Sequence, residues 1–129
     1  MAVMLSRDTR SFIAGEDLSS HQFKFVTLEA DGQVDAADAD AERCIGVLIT
    51  KPESGRAATV VVSGKVMVEA GAAITSGDEI ATNTAGEAVE LSTSSSATAV
   101  TLGYALEDAV DGQIFAMEFI QGGNTSDQS

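Results

Sequence analysis

At 129 residues the chain has the length of a single domain. Its net charge of −13, from seven Lys and Arg against twenty Asp and Glu, argues against naked nucleic acid or an anionic membrane surface as partner. The hydrophobic share of 44% supports a core without disulfide or metal. With five Phe, one Tyr and no Trp, that core rests on aliphatic side chains, which suits a thin-walled β domain better than a deep catalytic cleft.

Residues 1–20 show no clean period. They mix charges (Arg7, Asp8, Arg10, Glu16, Asp17) with isolated apolar anchors (Met4, Leu5, Phe12, Ile13), and read as an extended arm outside the core. Residues 23–29 (FKFVTLE) are β-branched and aromatic and predict a strand, closed by a turn at Asp31-Gly32. Residues 35–43 (DAADADAER) have helical composition but no apolar stripe, which predicts a surface loop or one acidic helical turn. The spacing of Asp35, Asp38 and Asp40 is not that of a calcium loop, which also needs a central Gly and a terminal Glu.

A strand follows over residues 44–49 (CIGVLI), where Cys44 reads as a buried small hydrophobe and, being single, forms no internal disulfide. Pro52 and Gly55 mark a loop. Residues 57–69 (AATVVVSGKVMVE) are strongly β, with Gly64 as a bulge or bend, or else the tip of a hairpin with Ser63. Gly71 and Gly77-Asp78 mark short turns, and Asn83-Thr84-Ala85-Gly86 a hairpin loop leading into a strand at 87–91. Residues 92–96 (STSSS) form a polar loop expected to be mobile. The last strands fall at 99–106 and 113–120, the second placing Phe115, Met117 and Phe119 on one face. Residues 122–129 contain no apolar side chain and are expected to be a disordered tail.

The expected fold is therefore all-β: one small barrel or sandwich of short strands over residues 21–121, with the arm at 1–20 and the tail at 122–129. All seven bases lie within the first 65 residues. That part carries ten acids against seven bases, and the remainder ten acids and no base, so the molecule is expected to be electrostatically two-sided. The sequence shows no leader with a cleavage site and no apolar run long enough for a bilayer, which predicts synthesis in a cytoplasm.

Little in the chain suggests catalysis. His21 is the only histidine and stands among Ser19, Ser20 and Gln22, as a surface or interface residue does. One His and one Cys do not make a zinc site. Twenty acids always contain some carboxylate pair, but a glycosidase also needs aromatic platforms, and Tyr104 alone is thin support. No glycine-rich phosphate loop is present. The reading is a non-enzyme with no cofactor and no metal.

The ordered phrases carry a family resemblance. Phe12-Ile13-Ala14-Gly15-Glu16-Asp17-Leu18 precedes Phe25-Val26, and Ile45-Gly46-Val47-Leu48 is followed by Pro52-x-x-Gly55 and Val61-x-x-Gly64-x-Val66. Next come Ala70-Gly71-Ala72-Ala73-Ile74-x-x-Gly77-Asp78-Glu79-Ile80 and Ala85-Gly86-Glu87-Ala88. Leu102-Gly103-Tyr104-Ala105-Leu106 and Ala109-x-Asp111-Gly112-Gln113-Ile114 close the series. In order and spacing this resembles phage capsid-cement (head-decoration) proteins, similar in role to lambda-type head-decoration proteins. The acidic stretch 35–42 departs from the pattern.

The resemblance implies a compact β domain, homotrimers on the outer surface of a tailed-phage head, the major capsid protein as partner, and no catalysis. It implies a virion protein made in the host cytoplasm. The expected capsid contact is the arm, through Leu5, Arg7, Arg10, Phe12 and Ile13, ordered only on the shell; the other reading has the arm packed on its own domain or on a neighbouring subunit of the trimer. Removing residues 2–18 is then expected to leave the β domain folded. The alternative is a β-sandwich module of a phage fibre that binds carbohydrate or a host receptor.

Overall fold

A computed structural model describes residues 7–38, 42–91 and 101–120. Nine strands form one sheet: β1 (Arg7–Ile13), β2 (Phe25–Leu28), β3 (Val34–Ala36), β4 (Gly46–Leu48), β5 (Ala57–Glu69), β6 (Glu79–Thr82), β7 (Ala88–Glu90), β8 (Gly103–Ala105) and β9 (Ile114–Phe119). Their order is β3-β2-β4-β5-β9-β8-β6-β7, with β1 also on β5, and the sheet curls into a half-barrel. The ladders between these strands are antiparallel. No α-helix occurs among the described residues, so the fold is all-β, as the sequence predicts.

The 13-residue β5 is the spine, and its two halves have different neighbours. Its first half pairs with β4 and, over Ala57 to Gly64, with β1; its second half pairs with β9 from Gly64 onward. Gly64 sits at φ +100°, a region open to glycine. There the strand stays continuous, so the bend is realised and the hairpin is not. The alternation changes phase across it: Val61 joins the main core before the glycine, Val66 and Val68 after it.

Two cores result. The main one gathers Phe115, Met117 and Phe119 from β9 with Phe25, Val47, Ile80 and Leu102. The second gathers Val26, Leu48, Val60 and Val62 with Val34, Ala14 and Leu18. Successive residues of β2, β4 and β5 thus enter opposite cores. Burial on both faces explains why these strands read as unbroken apolar runs. Strands β3-β2-β4-β5-β1 curl until the chain after β1 meets β3, through the Ala14↔Val34 bridge and the Gly15 amide on the Val34 carbonyl at 2.8 Å.

The N-terminal expectation is corrected here. Residues 7–13 are not an arm free of the domain but a seven-residue strand laid along β5. Ala14 and Leu18, at 1% and 0% exposure, are core residues. The weak period has a physical cause: β1 covers the small core at Phe12 and leaves its other side to solvent, while a bulge between Asp8 and Thr9 shifts its register. The acidic stretch is also corrected at its start, where Val34–Ala36 is a strand beside β2. Leu5, the loop at 92–96 and the tail at 122–129 lie outside the described residues.

Candidate interaction surfaces

Of the five side chains expected to touch a partner, the fold brings two together. Arg10 and Phe12, two residues apart on β1, line a groove of about 340 Å³ at the Val62 end of the small core, with Asp8 on the same strand. Leu28 of β2, Ile45 just before β4, and Val62 and Ser63 of β5 complete it. Leu28 is 48% exposed, Phe12 and Ile45 half-buried and Val62 buried, so the floor is apolar and open to solvent. Ile13 does not line the groove and is 42% exposed. Arg7 contributes backbone pairing to Gly64.

A second apolar surface was not expected from the sequence. On the outward face of β5-β9-β8, the register sets Met67 beside Ala116, and Lys65, Glu118 and Tyr104 in one row. Met67, Tyr104, Leu106 and Ile114 are 36–46% exposed. The signal was present in the period-two pattern of 113–120, since a strand with Phe115, Met117 and Phe119 inside must turn Ile114 outward. Glu69 borders the strip at its partner Ile114, and Glu79 borders it at Tyr104.

Several other polar groups serve the fold. Lys24 meets Glu87 at 3.9 Å, across the seam where the Phe25 amide bonds the Gly86 carbonyl at 2.8 Å. Asn83 Oδ1 accepts the amides of Ala85 and Glu87, each at 2.9 Å, closing the β6–β7 hairpin predicted at that point. Cys44 is buried, and that burial pushes its thiol far above its ordinary range, with Glu42 adding to the shift. His21 is half-buried with Ser20 Oγ 3.3 Å from its Nδ1. Among the described residues no three His, Cys, Asp or Glu side chains are placed to share a metal ion.

Comparison with known proteins adds two findings. A family model for phage cement proteins matches residues 11–117. The fold is similar to the crystal structure of the N base of head fiber gp8.5 in bacteriophage phi29, with a TM-score of 0.65 and 20% identity over 88% of this chain and 93% of that one. No curated protein matches the chain.

Proposed function

The chain belongs to the phage cement protein family, and from that premise we propose that it is a non-enzymatic virion protein that binds the outer surface of a tailed-phage head as a homotrimer and stabilises the capsid. The observation that carries this reading is the family match over residues 11–117, which takes in β2 to β8, the end of β1 and most of β9. Two unlike exposed apolar surfaces on one small acidic domain support it, because a trimer needs surfaces through which its copies can join. The partner is the major capsid protein. A shell under the pressure of packaged DNA opens at the joints between capsomers, and a trimer bridging a joint adds contact there. Many copies of modest affinity make that stabilisation collective. The chain is made in the host cytoplasm and needs no cofactor.

Heads assembled without the protein provide the test. Added protein is expected to appear as threefold density on the outer surface by cryo-electron microscopy, and to raise the temperature at which heads release DNA. Heads that stay bare, with release unchanged, refute the reading. A second reading draws on the fold likeness to a fiber base: the chain is then part of a fibre that binds carbohydrate or a host receptor. Under it, particles carry projections, and binding to host cells falls when the protein is missing while heat release does not change.

A further inference from the structure

Resting on the trimer reading above, we propose that the β1 groove of one copy receives the β5-β9-β8 strip of the next, so that the ring closes head to tail. A ring of three cannot be made from a self-complementary patch, because such a patch pairs two copies and stops. It requires two unlike surfaces on every chain. This chain presents two unlike apolar surfaces: a groove bordered by β1 and a strip on an outward sheet face.

Their charges match in order. Along the groove side of β1 stand Asp8, Arg10 and Phe12; across the strip, in one row, stand Lys65, Glu118 and Tyr104. Set against each other, the rows pair Asp8 with Lys65, Arg10 with Glu118 and Phe12 with Tyr104. Spacing permits it. Alternate residues on a strand are ~6.7 Å apart and neighbouring strands ~4.8 Å, a mismatch of roughly 2 Å per step that long Lys and Arg side chains absorb.

None of the four charged members makes an ion pair among the described residues. In a chain of seven bases and twenty acids, Arg10 and Lys65 are thus left available to another molecule. Tyr104, 43% exposed and flat, is the kind of side chain that anchors protein interfaces, and the apolar groove floor accepts it. The occupant is therefore a second copy of this chain rather than a coat segment, since both halves of the match lie on the same sequence.

Charge reversal tests the pairing. Sedimentation equilibrium, with mass per particle on decorated heads, should show the parent chain as a trimer. Arg10→Glu and Glu118→Arg, each with near-native circular dichroism, should weaken the trimer about tenfold or more, and their combination in one chain should largely restore it. Mixing adds a sharper readout. Arg10→Glu retains a good strip and Tyr104→Asp a good groove, so the two together should form a one-to-one dimer that neither forms alone. A parent that is monomeric both in solution and on heads sinks the trimer reading and the inference with it. A trimer indifferent to both reversals, or reversals that fail to compensate, overturns the groove-and-strip assignment alone. So does a mixture with no dimer.

Discussion

Gly103 stands at φ +144°, and a Cβ there would run into the carbonyl oxygen of Glu118 on β9. Neither feature suits an L side chain. Gly103→Ala is expected to cost about 1–3 kcal/mol from backbone strain, with the clash added. Gly64 carries the phase change of β5 at φ +100°, and Gly64→Ala should cost about 1 kcal/mol or more. Urea melts of both variants check this; parent-like midpoints would show that neither position requires glycine.

Asp35 presents the opposite case, a side chain expected to cost the fold stability. Its Oδ1 is shielded from solvent with no hydrogen-bond partner. Its pKa is raised by that burial first, then by the carboxylates of Glu16, Glu29, Asp31 and Asp38. A carboxyl that holds its proton more tightly when folded than when unfolded loses stability as pH rises through that window. Asp35→Asn should therefore melt higher than the parent at pH 7. The gain should vanish once pH falls below the ordinary aspartate value of ~3.9, where both states are protonated. A gain independent of pH would point to packing instead.

At the scale of elements, β1 is the strand on which the candidate groove depends. It supplies Asp8, Arg10 and Phe12 to the groove, and the chain leaving it supplies Ala14 and Leu18 to the small core. Leu18 is fully buried, and its amide bonds the Pro52 carbonyl at 2.9 Å, tying the N-terminal segment to the β4–β5 loop. Removing residues 2–18 should thus destroy the cooperative thermal melt, against the sequence expectation of an intact domain. Leu18→Ala alone should cost about 2–5 kcal/mol. A truncated chain with parent-like circular dichroism and melting would show that β1 and Leu18 add nothing to the domain.

For the whole molecule, β5 changes partners at Gly64, so that β1 to β4 lie on one side of it in the strand order and β6 to β9 on the other. Every base belongs to the part up to Lys65, while the strands beyond it carry acids alone. Copies of such a chain repel at long range, so a trimer must be held mainly by apolar contact, its few ion pairs being short and partly desolvated. Above ~0.15 M salt, where the Debye length is ~8 Å, the trimer should respond weakly to further salt. Sedimentation across salt concentrations measures this, and dissociation on modest salt addition would show that ion pairs dominate.

The sequence by itself determined the all-β class and the position of most strands, because alternation and turn glycines are local signals. The strand at 57–69 with a bend at Gly64, the hairpin at Asn83 and the inward face of Phe115, Met117 and Phe119 were all legible. So was the burial of Cys44. What only the tertiary structure decided is where each strand's second face goes. Val26, Leu48 and Val60 look like any apolar strand residues until β1 and Leu18 supply a second core for them. Asp8, Arg10 and Phe12 look like scattered residues of an arm until pairing with β5, fifty residues away in the chain, makes them one side of a groove. The strip at Met67, Leu106 and Tyr104 likewise exists only through cross-strand register, and register between distant segments leaves no mark in either segment alone.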